Sequence, residues 1–206
     1  MRTPLIVACG ALVSELRAVL QTAGLADAID VRYLPANLHN RPDEIVPALR
    51  EMLAECDALA PHDERRVLIG YSDCGTGGHL DALLAEHPHL QRLPGAHCYE
   101  MFAGADTFAA LHDAEPGTFY LTDFLAKHFD ALVWQGLGLD RHPQLRDMYF
   151  GNYTRLVLLS QRNDSAVLAA AQAAAAQLGL AFEHVPTGLT HLADAVAVSF
   201  STGKAA

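Results

Sequence analysis

Three cysteines stand at the ends of separate chain segments, each in company that suits a thiolate. Cys9 closes the apolar run Leu5-Ile-Val-Ala-Cys9. Cys74 lies in Gly70-Tyr-Ser-Asp-Cys-Gly-Thr-Gly-Gly78, a glycine-rich turn between a strand and a helix, where backbone amides and the helix dipole favour thiolate over thiol. Cys98 lies in Gly95-Ala-His-Cys-Tyr-Glu-Met-Phe102, which packs an imidazole, a thiol and a carboxylate into four positions at a helix start. Such groups are the usual protein ligands of zinc, and thiolates also select copper(I) and iron–sulfur clusters. Adjacent His97 and Cys98 cannot point the same way on a regular helix, so Cys98 is the candidate ligand there. His97 and Glu100 become the candidate acid/base groups. The plainer alternative makes His97 a capping or core histidine and Glu100 a first-turn carboxylate favoured by the dipole.

The Cys74 turn is not a nucleotide loop, because no Lys follows its glycines and the G-x-G-x-x-G spacing is absent. Its residues Gly75, Thr76, Gly77 and Gly78 are candidate oxyanion donors, or simply a tight turn with positive φ. Further candidates for substrate contact are His39 and Arg41 in Leu38-His-Asn-Arg-Pro42, then Asp140, Arg141, Arg146, Asn152 and Tyr153. The last five occupy a stretch rich in Gly, Arg and aromatic residues before a strand, which suits a binding loop. Asp140 and Arg141 equally suit a surface ion pair. Cys56 falls inside a helical pattern and reads as an ordinary packed thiol. The histidines at 62, 79, 87, 89, 112, 128, 184 and 191 show no ligand-like pairing and read as surface or capping residues.

These groups need a scaffold, and the rest of the chain supplies its pattern. Strand-length apolar runs alternate with helical spacings: strands at Leu5–Cys9, Val31–Leu34, Arg66–Tyr71, Thr118–Leu121, Arg155–Ser160 and Ala181–Val185. A short strand or connection covers Arg92–Ala96. Helices are expected from Leu12 to Gly24, from an N-cap at Asn40 to Leu59, from Thr76 or Gly77, over Tyr99–His112, Asp123–Val133 and Ala166–Leu178, and at the end of the chain. This alternation predicts an α/β fold: a mostly parallel sheet with helices on both faces, a Rossmann-like three-layer sandwich. With no clear linker, residues 1–206 read as one domain, the alternative being two loosely defined halves, about 1–115 and 116–206. Ligands of such sheets bind beyond the carboxyl ends of the strands, where Cys9, Cys74 and Cys98 are all expected.

Composition narrows the function. With 24 acidic against 14 basic residues the formal charge is −10, and no Lys/Arg run collects phosphates, so nucleic acid is not an expected partner. The apolar runs are too short for a bilayer and the first residues show no secretory pattern, which together predict a cytoplasmic protein off the membrane. Four cysteines without a secretory segment read as thiols, not disulfides.

The sequence resembles the DUF1638 family, a domain of unknown function. The resemblance is carried by Val7-Ala-Cys-Gly-Ala-Leu12, Leu38-His-Asn-Arg-Pro42, Gly70–Gly78, Pro94-Gly-Ala-His-Cys-Tyr-Glu100, Pro116-Gly-Thr-Phe-Tyr-Leu-Thr-Asp123 and Gly138-Leu-Asp-Arg-His-Pro143. It implies cysteines in the segments of Cys9, Cys74 and Cys98, with a His near the last. Members occur near corrinoid-dependent methyltransferases, which implies methyl or one-carbon chemistry and a corrinoid or methyltransferase protein as partner. The chain lacks a D-x-H-x-x-G cobalamin signature, so it is not expected to be the corrinoid carrier.

Three readings follow. In the first, Cys9, Cys74 and Cys98 hold a metal ion, zinc before iron or an iron–sulfur cluster. The open coordination position then serves a small-molecule substrate in methyl or one-carbon transfer. In the second, Cys74 or Cys98 is a metal-free nucleophile paired with His97. In the third, the protein is a non-enzymatic accessory that holds a cofactor or metal for another enzyme.

Overall fold

The structure is a computed structural model and describes residues 2–59 and 65–200; His62 lies outside the described residues. The chain divides into two compact units, one comprising Met1–Met101 with Thr190–Ala206 and the other Phe102–Leu189. The α/β architecture with parallel strands is present in both. The alternation of strands and helices does not by itself reveal that the strands form two sheets instead of one.

The first unit holds a four-stranded parallel sheet in the order β2 (Asp30–Leu34), β1 (Leu5–Cys9), β3 (Val67–Gly70), β4 (Leu90–Arg92). Its central strands β1 and β3 are continuous apolar runs because both faces are covered. Leu5, Val7, Val67 and Ile69 pack in one cluster with Leu49 and Leu53 of α2 (Ile45–Glu55) and with Leu80 and Leu83 of α3 (His79–Glu86). Ile6, Ala8 and Leu68 alternate to the opposite face and are fully buried. The helices α1 (Val13–Thr22) and α9 (Thr190–Phe200) pack on each other, and α9 also touches β3. The final helix thus returns to the first unit, and Leu192, Val196 and Phe200, at four-residue intervals, form its buried stripe.

The strand order makes β1 and β3 the switch point of this sheet: the chain leaves β1 toward β2, then crosses back to β3 on β1's other side. Loops leaving neighbouring strands in opposite senses open a crevice at their carboxyl ends. Cys9 ends β1, and the Cys74 turn follows β3.

Three local expectations are corrected. Asn40 is not a helix cap; it lies inside a 3₁₀ turn, Ala36–Asn40, and Arg41 precedes the next turn without a side-chain cap. The third helix begins at His79, because the preceding residues are used up in a turn that ends with Gly78 at φ +87°. The helix expected over Tyr99–His112 is two, α4 (Cys98–Ala103) and α5 (Ala105–Ala114), broken where Gly104 takes φ +80°.

The second unit holds the parallel sheet β5 (Thr118–Thr122), β6 (Arg155–Ser160), β7 (Ala181–Pro186), with α6 (Asp123–Lys127) packed against α8 (Ser165–Leu178). Between them run a π-helical turn, Asp130–Trp134, and α7 (Leu145–Phe150). Arg155 ties the layers together. Its guanidinium donates to Thr118 Oγ1 at 2.8 Å, the Glu183 carboxylate at 2.6 Å and the Leu111 carbonyl at 2.7 Å. Because it is largely buried, its loss removes three hydrogen bonds at once, including the one to the buried Thr118 hydroxyl. Arg155→Ala should lower stability by about 2–3 kcal/mol. Trp134, the chain's one tryptophan, lies in this unit, so its fluorescence during urea unfolding reads the effect; an unchanged midpoint would refute the assignment.

Among the described residues no helix is long and apolar enough to cross a membrane.

Candidate functional site

Backbone hydrogen bonds bring the segments of Cys74 and Cys98 side by side. Ser72 Oγ donates to the Pro94 carbonyl at 2.7 Å, the Asp73 amide to Gly95 at 3.2 Å and the Cys74 amide to Ala96 at 2.8 Å. The loop after β3 is therefore zipped, residue by residue, to the loop after β4. Arg92 braces the second loop, donating to the carbonyls of Leu93 at 2.9 Å and Gly95 at 3.1 Å while its guanidinium pairs with Asp81 at 2.6 Å.

The Cys74 turn is held by Asp73. Its carboxylate accepts from the Thr76 hydroxyl at 2.6 Å and from the amides of Gly78 at 3.0 Å and Gly77 at 3.2 Å. These bonds, the Thr76 hydroxyl foremost, hold the Asp73 carboxyl below its ordinary value. The amides of Gly77 and Gly78, proposed as oxyanion donors, are thus already taken. Gly75, Gly77 and Gly78 all have positive φ, and so does Cys74, at +51°. For a non-glycine residue that is a strained conformation, which the Cys74–Ala96 bond and the Asp73 bonds sustain together.

Cys9 completes the group. It caps the 3₁₀ turn that follows β1, its sulfur accepting from the Ala11 amide at 3.4 Å. The three thiols lie within electrostatic reach of one another, and burial is the largest influence on each. Burial raises the Cys9 thiol, partly offset by the Ala11 amide. Burial, then the neighbouring Cys9, pushes Cys74 up to about 12. Burial, then Cys74 and Cys9, pushes Cys98 well above the ordinary thiol value. Amides of Ser72 and Cys98 face the Cys74 sulfur, and those of Cys98 and Tyr99 face the Cys98 sulfur. Each sulfur therefore has at least one amide ready for negative charge. All three residues are intermediate in exposure, with the Cys98 thiol the most deeply enclosed. Among the described residues no three His, Cys, Asp or Glu side chains form a ready-made metal-binding group. The three sulfurs are neighbours.

Glu100 Oε2 accepts from the Ala96 amide at 2.8 Å, closing the turn before α4. The His97 ring tilts against Tyr99, with centroids 5.5 Å apart. His39 and Arg41 lie exposed on the loop after β2. That loop borders the Cys74 turn, since a methyl group placed on Gly75 would stand 3.4 Å from Pro42. Surrounding protein lowers the His39 imidazole despite its exposure. Arg41 pairs with Glu44 at 3.3 Å.

The remaining candidates belong to the second unit. Asp140 and Arg141 form an exposed pair at 3.8 Å. Arg146 donates Nε–H to the Leu178 carbonyl at 2.9 Å, which satisfies the end of α8. Tyr153 packs against Phe119 and Phe150, and Asn152 is exposed. Cys56 packs against the core at the end of α2, as expected of an ordinary thiol. It also lines a groove of about 330 Å³ with Asp30 and Arg65, at the amino edge of the sheet and away from the other thiols.

Residues 33–196 match a family described as protein of unknown function (DUF1638). The chain belongs to that family. The match includes Cys74, His97 and Cys98 and begins after Cys9. No curated protein and no solved structure matches this DUF1638 chain. Its chemistry has to be argued from the site.

Sequence reasoning missed one member of that site, Tyr71, the first residue after β3. It is buried in the same cluster as Cys9 and Cys74, with 3% of its surface exposed. Its position between an apolar strand and the Ser-Asp-Cys turn was visible in the sequence, but a tyrosine there reads equally as strand. Among the other histidines, His184 was expected at the surface and is exposed, with Nε2 2.8 Å from Ser160 Oγ.

Proposed function

We propose that this DUF1638 protein is an enzyme that holds a metal ion on the thiolates of Cys9, Cys74 and Cys98. Zinc is the first candidate, with iron or an iron–sulfur cluster as alternatives. The observation that carries the reading is the meeting of three thiols from three separate loops at the switch point of one sheet, each sulfur faced by backbone amides.

The direction of their ionisation favours a metal over a bare nucleophile. A catalytic cysteine needs a depressed pKa, and here burial raises all three, with repulsion from neighbouring thiols adding to it at Cys74 and Cys98. Free of metal they stay protonated at neutral pH and attack poorly. A divalent cation reverses both penalties, because its charge outweighs desolvation and repulsion and a coordinating thiol is deprotonated outright.

Three protein thiolates leave a fourth position for substrate, which suits a catalytic metal. A metal held by these residues would supply the positive charge that lets a substrate thiol give up its proton and stay nucleophilic enough to take a methyl group from a corrinoid, whose cobalt would keep the electron pair of the broken cobalt–carbon bond. His97, one residue from Cys98, takes that proton. Glu100, already bonded to the Ala96 amide, holds the turn in place. His39 and Arg41, on the loop bordering the Cys74 turn, meet the anionic part of a small metabolite. The class of reaction proposed is methyl or one-carbon transfer, with a corrinoid or methyltransferase protein as donor partner. An accessory protein would use the same ligands and show no turnover.

The test begins with elemental analysis and an absorption spectrum of anaerobically purified protein. A colourless zinc protein supports zinc and a brown iron protein replaces it. Zinc added to the metal-free protein should release about three protons per ion near pH 7, because all three thiols start protonated. Calorimetry in two buffers of different ionisation enthalpy measures this. For the same reason the logarithm of apparent affinity should climb about three units per pH unit. A chelated protein with full activity would overturn the reading.

A further inference from the structure

The Tyr71 hydroxyl oxygen is buried and has no hydrogen-bond partner of good geometry among the described residues. Tyr71 packs in one cluster with Cys9 and Cys74, and Cys9, then Cys74, are the charged neighbours that act on it most. A buried hydroxyl without a well-formed partner is unfavourable, whereas Ser72, Asp73, Thr76, Arg92 and Glu100 around it all have partners. The neighbouring group explains the exception. A thiol sulfur is a weak acceptor, whereas a thiolate is a strong one.

We infer that Tyr71 is a positioning residue whose hydroxyl donates a hydrogen bond to the Cys9 sulfur once that sulfur is a metal-bound thiolate. This rests on the metal reading above and extends it. In the metal-free chain the Tyr71–Cys9 contact is a poorly formed bond to a weak thiol acceptor, and metal binding would turn that acceptor into a strong one. Donation from Tyr71 draws charge from Cys9 and fixes its direction, as the partners of metal ligands commonly do. The Ala11 amide approaches the same sulfur at 3.4 Å, so Cys9 as a ligand would carry two donors.

Tyr71→Phe tests this in the full chain, with cobalt(II) as the probe. Wild type should bind one cobalt with a sulfur-to-cobalt charge-transfer band. The variant should bind about 10- to 100-fold more weakly, with that band moved to lower energy because the Cys9 thiolate becomes more electron-rich. The metal-free variant should unfold at the same temperature as wild type or higher, since it loses a buried hydroxyl whose contact with the neutral Cys9 thiol is poorly formed. A role confined to packing or stability predicts the opposite sign. Equal affinity and an unmoved band, or a lower unfolding temperature without metal, would overturn this inference and leave the metal site standing. Failure of wild type to bind cobalt through sulfur would overturn the metal reading itself.

Discussion

Cys74→Ser should hold zinc at least about 100-fold more weakly than wild type. A zinc site of four ligands is worth roughly 12 kcal/mol at neutral pH, so one ligand accounts for about 3 kcal/mol, or some two powers of ten. The exchange is conservative in every other respect. Serine keeps the size and can keep the φ of +51° as well as cysteine does, and the Cys74 amide bond to Ala96 at 2.8 Å involves only backbone. The variant should therefore fold with an unchanged circular dichroism spectrum. Cys56→Ser is the matched control, because Cys56 packs at the end of α2 and should leave zinc content untouched. Equal zinc in Cys74→Ser and wild type after dialysis against a competing chelator would remove Cys74 from the site.

A methyl group added at Gly70 should be costly to the first sheet. It stands opposite Ala8 in the β1–β3 register, and a Cβ there would lie 2.4 Å from the Ala8 Cβ and 2.8 Å from its Cα. No rotation relieves that clash, since both partners belong to the central strands and the intruding atom is fixed to the backbone. Gly70→Ala should cost about 3 kcal/mol or more, the upper range for overpacking a core. Gly77→Ala offers a comparison without a clash, because nothing lies within 4 Å of the added carbon. It meets only the strain of φ +63° and should cost about 1 kcal/mol. Thermal unfolding followed by circular dichroism separates the two; Trp134 fluorescence alone does not serve, because that residue lies in the other unit. A Gly70→Ala midpoint equal to wild type would show that β1 and β3 can part without penalty. Since β1 carries Cys9 and β3 leads to Tyr71 and Cys74, that result would also undercut the thiol cluster.

Local pattern made much of the fold legible. Leu5–Cys9 and Arg155–Ser160 are strands as read, because an apolar run of strand length between turn residues has little alternative. The Ala-rich helix Ser165–Leu178 ends at Gly179 in the left-handed conformation. The errors are equally local: Asn40 has the chemistry of a cap, but the chain closes a 3₁₀ turn there, and Gly104 interrupts an otherwise continuous helical pattern. Residues singled out for polarity alone fared differently. Arg146 holds the end of α8 and Tyr153 fills an aromatic cluster, since guanidinium and phenol groups serve packing and capping as readily as ligands.

The identity of the strands and helices, and the presence of a thiol just beyond three of the strands, are properties of the sequence alone, because periodicity and turn chemistry act over a few residues. Which strands share a sheet is different in kind. The ladder joining β1 to β3 is made of backbone groups common to every residue, so its pairing is decided only when distant apolar faces are buried together. That choice, and the zipping of Ser72–Cys74 to Pro94–Ala96, sets Cys9, Tyr71, Cys74 and Cys98 beside one another. Tertiary packing also set their chemistry: burial, with one sulfur pressing on the next, raised the thiols and left the Tyr71 hydroxyl buried beside an acceptor that becomes strong only when ionised.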